Sequence, residues 1–503
     1  MAIAEQKGPW QVERLPTGVP NLDRLIDGGL TRGGLILIVG GPGTGKTVLA
    51  EQMAFDWARQ GRNVLWLVTL GEPNEKFMIH LTEMGFFDHA LVGTRIQLVN
   101  LSHFLRRGFE EQLGAIRQTV HAGDYDLVVI DGFQSFRCFM DDVRQVRLFL
   151  SELSSELALA GITLLVTLDA LPERYWETSE FTLADCIISL GRAAKEAGER
   201  RQLQVLKLRG RPVIGGPHTF TIDSAGAYIH PRLESIAPRQ PAADTRGWQP
   251  FGVPGLDRLL QGGVLEGSST LVAGSLGTGK SMVASYFLAE AIRRGEPCLS
   301  LCLAERLPGL LQRADSFGLP LRQAQESGVL EIKLYDPAQC DPDLCAWEVV
   351  RAVEERGIRR LVIDGIDPLE QALQGSGRMM GFMVALTGFM QANRVTSLFT
   401  YELPSLLGPA VSFTAPVIGQ VTGNLILLRF VEAKGRLRRL LTVVKTRYTQ
   451  HSATVAELLF DKGELVVTPR PREAERQPDS ARYYGEQLEQ HEGERLRGQL
   501  TPP

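Results

Sequence analysis

The sequence predicts an α/β protein of two tandem domains, each a mostly parallel sheet flanked by helices and carrying a phosphate-binding loop. Three observations predict it. The chain repeats itself: GVPNLDRLIDGG at 18–29 returns as GVPGLDRLLQGG at 252–263, identical at nine of twelve positions. Short, fully apolar runs alternate with amphipathic stretches, the pattern of strands covered on both faces by helices. Each copy also places a glycine-rich loop between such a run and such a stretch.

The elements follow in order. In the first copy, apolar runs at 35–39, 64–68, 127–130 and 163–167 read as strands, and 48–60 and 143–160 as helices. In the second copy the run at 270–273 leads into the loop. The repeat offset is 234 residues at Lys46 and Lys280 and 233 at the acids closing VVID (128–131) and LVID (361–364). It is 238 at Lys207/Arg209 and Lys445/Arg447, as loop insertions between two copies of one fold would leave. Residues 1–231 are therefore expected to form the first domain and 250–468 the second. The stretch 232–249, with prolines and no apolar period, reads as a linker. Residues 469–503 are highly charged and read as a disordered tail.

Composition narrows the class. At 503 residues two domains are expected, and 44% hydrophobic with 22% charged residues is ordinary globular usage. The formal charge of -4 argues against a dedicated nucleic-acid binder. Met1–Lys7 has no apolar core of a secretory signal, and no apolar run approaches the ~18 residues of a membrane span. A cytoplasmic protein without membrane partners is expected. Six cysteines are too few and too irregular for a disulfide framework. Cys298/Cys302 and Cys340/Cys345 have metal-like spacing but no nearby histidine, and read as two apolar-strand thiols and two loop thiols.

The loops carry the chemistry. Gly40-Gly41-Pro42-Gly43-Thr44-Gly45-Lys46-Thr47 and Gly274-Ser275-Leu276-Gly277-Thr278-Gly279-Lys280-Ser281 both fit G-x-x-x-x-G-K-[ST], between a strand and a helix. The glycines let successive N–H groups face phosphate oxygens, and the helix adds the positive end of its dipole. Lys46 and Lys280 supply a point charge to the terminal phosphates, and the Thr47 and Ser281 hydroxyls suit Mg²⁺. Asp131 and Asp364, ending strands across from the loops, are the candidates for the Mg²⁺ shell. ATP and Mg²⁺ are the implied ligands.

These residues resemble the KaiC family of double-domain ATPases of the RecA type. The resemblance rests on LPTGVPNLDRLIDGGLTRGGLILIVGGPGTGKT and FGVPGLDRLLQGGVLEGSSTLVAGSLGTGKS, on LQVLKLRG at 203–210 and on VVKTRYTQH at 443–451, and spans residues 12–468. It implies two RecA-like phosphate-loop domains and a homohexameric ring with ATP between neighbouring subunits. It also implies that Lys207, Leu208 and Arg209, with Lys445, Arg447, Thr449 and His451, meet the nucleotide of the adjacent subunit. A cation delivered from a neighbour would stabilise charge on the transferring phosphoryl group.

Two departures qualify the resemblance. Family members carry two consecutive glutamates after the second strand. Here Glu72 and Glu305 each stand alone, after Gly71 and Ala304, and are the candidate catalytic acids beside Lys46 and Lys280. Clock members place serine and threonine phosphoacceptors before the last Lys-x-Arg segment. Gly419 and Gln420 occupy those positions here, with Ser412, Thr414 and Thr422 nearby but out of place. The expected function is a slow, Mg-dependent ring ATPase that signals conformationally to an unidentified protein partner. The alternatives are a serine/threonine autokinase, a RecA-type DNA-dependent ATPase, and a nucleotide-stabilised scaffold without turnover.

Overall fold

The computed structural model describes residues 13–68, 74–101, 109–137, 143–170, 179–195, 198–236, 247–303, 305–403, 417–433, 435–447, 449–461 and 463–469. The chain divides into two compact units between Ile236 and Ala237. Of the stretch expected as a linker, Leu233–Ile236 is a short helix and Trp248–Gln249 pairs with Val264–Leu265 inside the second unit. The charged segment expected as a tail lies, beyond Pro469, outside the described residues.

Each unit is built on a nine-stranded sheet. In the first, the order from one edge is Gly226–His230, His218–Asp223, Gly198–Leu208, Cys186–Lys195, Leu35–Gly40, Thr163–Asp169, Leu127–Asp131, Val64–Val68, Ile96–Asn100. From Cys186–Lys195 to Ile96–Asn100 all neighbours are parallel, and the strands beyond Cys186–Lys195 are antiparallel. The second sheet follows the same plan, with Ser269–Gly274 lying between Thr396–Glu402 and Asn424–Ala433. The expected α/β fold of two RecA-like domains is what the chain adopts.

Strand periodicity divides the core. In the first unit Ile36, Ile38, Trp66 and Val129 face one way and pack with Met53, Ala54 and Trp57 of the helix Lys46–Arg59. Leu37, Val39, Leu67 and Ile130 face the other way, against Leu113 and Ile116 of Phe109–His121 and Phe149, Leu150 and Leu153 of Val143–Leu159. Both faces are buried, which is why the strands read as unbroken apolar runs.

The GVPxLD repeat is structural. The Asp23 carboxylate accepts from the backbone N–H of Thr17 (3.0 Å), and Asp257 accepts from that of Phe251 (2.7 Å). Each acid thereby fixes the turn ahead of the loop strand, with Gly18 and Gly252 at φ 70° and 75°. Burial raises the pKa of both carboxylates against these hydrogen bonds.

Two readings need correction. The helix after the first loop begins at Lys46 rather than 48, because Gly45 at φ 104° ends the loop and caps the helix. Cys345 is helical, in Pro342–Arg356, and not a loop thiol; its sulfur lies 3.9 Å from that of Cys340. The strand carrying Lys207 has His218–Asp223 as its outer neighbour, paired only at Gln202 and Leu203. No helix among the described residues is long and apolar enough to cross a membrane.

Candidate nucleotide site

Each loop follows a buried strand that leaves no room for side chains at its end. A Cβ on Gly40 would stand 2.2 Å from the Leu190 carbonyl oxygen, and one on Gly274 2.5 Å from that of Leu428. Gly43 and Gly45 take φ of 69° and 104°, and Gly277 and Gly279 take 77° and 105°, a region open to glycine. Thr44 Oγ1 donates to the Gly41 carbonyl (2.8 Å) and Thr278 Oγ1 to that of Ser275 (2.7 Å), closing each loop. Lys46 Nζ donates to the carbonyls of Gly40 (3.0 Å) and Gly41 (2.9 Å), and Lys280 Nζ to those of Gly274 (2.8 Å) and Ser275 (3.0 Å). Burial lowers the Lys280 pKa, opposed by the charges of Glu402, Asp367 and Asp364.

The strand-ending acids meet the loop hydroxyls. Thr47 Oγ1 lies 3.2 Å from both Asp131 oxygens, and Ser281 Oγ lies 3.1 Å from Asp364 Oδ1. A second hydroxyl, missed in the sequence, holds each acid from the neighbouring strand. Thr167 Oγ1 accepts from Gly132 N (2.8 Å) and donates to Asp131 Oδ1 (2.5 Å). Thr400 Oγ1 accepts from Gly365 N (2.7 Å) and donates to Asp364 Oδ1 (2.6 Å). The backbone donor commits each hydroxyl proton to the carboxylate. Burial pushes the Asp131 pKa up, opposed by the hydrogen bonds from Thr167 and Thr47 and by the Lys46 charge. A desolvated carboxylate beside a hydroxyl suits a hard cation such as Mg²⁺. Among the described residues no group of three or more His, Cys, Asp or Glu is placed to hold a metal alone.

Valine at Thr400 keeps the shape and removes the hydroxyl. Thr400→Val is expected to raise the Mg²⁺ concentration needed for half-maximal nucleotide binding at the second site by about tenfold, as for losses of comparable metal-site support. A Mg²⁺ titration followed by nucleotide fluorescence checks this, with Thr400→Ser expected to behave as wild type.

Two further groups flank the loops and were not singled out in the sequence. At the end of Thr163–Asp169, Asp169 pairs with Lys46 at 2.7 Å. Glu402 ends the matching strand in the second unit, with its backbone N–H bonded to Asp367 (3.1 Å). Arg192 donates to the Gly43 carbonyl (2.5 Å). In the second unit Arg439 donates to that of Gly277 (3.1 Å), with its guanidinium 5.2 Å from the Phe430 ring centre and 4.9 Å from that of Phe460. The recurrence of Thr167 and Asp169 as Thr400 and Glu402, at the offset of 233, was the available signal.

The basic pairs sit elsewhere. Lys207 Nζ donates to the carbonyls of Phe181 (2.9 Å) and Thr182 (3.0 Å), while Arg209 pairs with Asp185 (3.0 Å). Lys445 Nζ donates to the carbonyls of Gly419 (3.2 Å) and Thr422 (2.9 Å), and Arg447 to that of Gln420 (2.5 Å). Burial lowers the pKa of both lysines, helped by the neighbouring arginine. Register separates them from their own loop. Lys207 lies opposite Ile187, which is level with Leu37, whereas the loop starts after Gly40. Lys445 lies opposite Leu425, level with Leu271, and the second loop starts after Gly274. Three residues along a strand are about 10 Å. Leu208 turns into the core and is 6% exposed, which leaves its backbone for any nucleotide contact. Thr446 Oγ1 bonds the Thr449 carbonyl (2.6 Å) and His451 Nδ1 (2.9 Å), setting both beside Arg447.

Glu305 is held by Arg313 at 2.7 Å. Its charge and that of Asp364 both act on Cys302, whose thiol burial pushes up to about 11. Glu72 lies outside the described residues, as do Ser412 and Thr414. Thr422 is fully buried.

A KaiC ATPase family model matches residues 15–234 and again 249–472. The circadian clock protein KaiC3 of Synechocystis sp. is 28% identical over 472 residues, 90% of each chain. The circadian clock oscillator protein KaiC of Picosynechococcus sp. is 26% identical over 478 residues, 92% of this chain and 91% of that one. KaiC of Prochlorococcus marinus is 26% identical over 490 residues, 91% and 93% of the two chains.

Proposed function

Since the chain belongs to the KaiC ATPase family and is an ATP-binding member of it, we propose that it is a cytoplasmic ring ATPase, homohexameric, with slow Mg-dependent turnover between subunits. One observation carries this reading. In both units the Lys-x-Arg pair stands about three strand residues below its own loop, so these cations fit a nucleotide seated on another copy. Each loop lysine holds phosphate charge in cis. Lys207 with Arg209, and Lys445 with Arg447, add the charge that stabilises the transferring phosphoryl group, so turnover depends on assembly. Mg²⁺ at Thr47/Asp131 and Ser281/Asp364 would neutralise developing charge on the phosphates. In the second unit the Arg439, Phe430 and Phe460 group supplies a flat surface beside the loop suited to a nucleotide base.

Glu305, and Glu72 by repeat, are the acids for orienting the attacking water. With one acid per site and Glu305 engaged by Arg313, turnover is expected to be slow and its output a conformational signal to a protein partner. The names of the relatives concern circadian clocks. Autophosphorylation of the clock type has no hydroxyl to act on at Gly419 and Gln420.

ADP production measured together with particle mass tests the proposal. A ring that forms with ATP and releases ADP slowly is expected. A monomer that binds nucleotide and hydrolyses at an unchanged rate on dilution would overturn the shared-site reading.

A further inference from the structure

A lysine ammonium has three N–H donors, and at Lys46 the fold supplies a partner for each. Two go to the carbonyls of Gly40 (3.0 Å) and Gly41 (2.9 Å), and the third to the carboxylate of Asp169 (2.7 Å). The carbonyls belong to the backbone that shapes the loop. Asp169 is a side chain at a strand end, half exposed, while Lys46 is largely enclosed. A phosphate reaching Lys46 therefore meets an ammonium whose charge is already balanced, and the carboxylate is the partner able to give way.

We propose that Asp169 is a specificity-determining residue of the first site, a carboxylate that competes with the terminal phosphate of a nucleoside triphosphate for Lys46 and tilts the site toward the diphosphate. The inference rests on the reading of this loop as a nucleotide site. Its physical basis is like-charge exclusion. The loop lysine serves the last two phosphates of a triphosphate. Asp169 covers that lysine from the carboxyl end of Thr163–Asp169, next to the strand that feeds the loop. A triphosphate brings an additional anionic group to this place, and two anions a few ångströms apart oppose each other. A diphosphate lacks that group and keeps Asp169 as a tolerable neighbour.

The second unit differs at the matching strand end. Lys280 Nζ makes the same two carbonyl bonds. Glu402, one methylene longer, stands where Asp169 does, and its backbone is tied to Asp367. Its charge acts on Lys280 together with those of Asp367 and Asp364. The two sites are therefore expected to differ in their preference between the two nucleotides.

The test uses the full chain with Lys280→Ala, so that the first site is read alone, and calorimetric titration with Mg²⁺ and either ADP or the non-hydrolysable β,γ-imido analogue of ATP. Asp169→Asn is expected to strengthen analogue binding about tenfold, as loss of one like-charge contact allows, with ADP changing far less. If both nucleotides bind and the ratio is the same with Asp169 and Asn, the competition is absent and the inference fails. If neither nucleotide binds at the first site, the nucleotide reading itself fails and takes the inference with it. Should Lys280→Ala disturb folding, a two-site titration of the chain carrying only Asp169→Asn reads the same ratio.

Discussion

Lys46→Ala is expected to weaken ATP binding at the first site by at least about a hundredfold, and Lys280→Ala to do the same at the second. A hydrogen bond to a charged group is worth roughly 1.5–3 kcal/mol, and a loop lysine serves two phosphate groups. Losing both contacts is about 3–6 kcal/mol, which exceeds two decades in Kd. Folding should be little affected. Each ammonium braces two loop carbonyls, Gly40 and Gly41 or Gly274 and Ser275, that border the open site, where water can replace it. Calorimetric titration of each variant, with thermal unfolding as a control, checks the result. The pair also separates the roles of the two sites. One variant is expected to lose ring formation and the other mainly ADP production, because two sites with different acids around the lysine need not turn over alike. Binding within threefold of wild type in either variant would place the nucleotide elsewhere.

What the sequence made legible was contiguous. The loop, its lysine and its hydroxyl are neighbours in the chain, and the backbone geometry of phosphate binding dictates their spacing. Asp131 and Asp364 were legible because a fully apolar run that stops on an acid reveals a buried strand and its carboxyl end. The fold class followed from the same runs and from the repeat. Lateral relations were not legible. Thr167 and Thr400 act on acids 36 residues away in sequence, through strand pairing that no local pattern states. In the sequence they are β-branched residues inside apolar runs, which is ordinary strand composition. Asp169 and Glu402 read as strand-ending polar residues until the sheet places them beside the loop.

The Lys-x-Arg pairs show the converse case. Their identity was legible from the repeat, while their position relative to the loop was set by the register of the antiparallel strands. GVPxLD opens the longest shared segment, and its acid binds backbone amides of its own turn. A repeated motif marks a shared physical demand, and here the demand is on the turn that starts the domain. Glu305 stands where the resemblance puts a catalytic acid, and its engagement by Arg313 depends on the helix Leu307–Ser316 that carries the arginine.

The second large effect is expected where the two units solve one problem differently. The chain entering each unit leaves a carbonyl, Pro16 in the first and Pro250 in the second, that needs a donor. Trp57 Nε1 supplies it in the first unit (2.7 Å) and Arg360 Nη1 in the second (2.9 Å). Arg360 is fully buried and also reaches Glu296 (2.9 Å), the Phe287 carbonyl (3.1 Å) and Gln249 Oε1 (2.8 Å), with its guanidinium 4.6 Å from the Phe287 ring centre. Burial lowers its pKa, opposed by the charge and hydrogen bond of Glu296. The equivalent residue in the first unit is Leu127, so leucine fits this strand position when another donor serves the carbonyl. Arg360→Leu leaves Glu296 without its cation and Pro250 without its donor, and such loss of one partner from a buried pair costs about 3–5 kcal/mol. Thermal unfolding should show the second unit melting earlier while the first is unchanged. The effect should also reach the site. Arg360 and Asp364 are the two ends of one five-residue strand, and the guanidinium fixes the end opposite the acid. Nucleotide binding at the second site is therefore expected to become weaker and more dependent on Mg²⁺, with the first site as the internal control. Destabilisation below about 1 kcal/mol would mean that water or a rearranged donor serves Pro250, and that this strand does not need its buried cation.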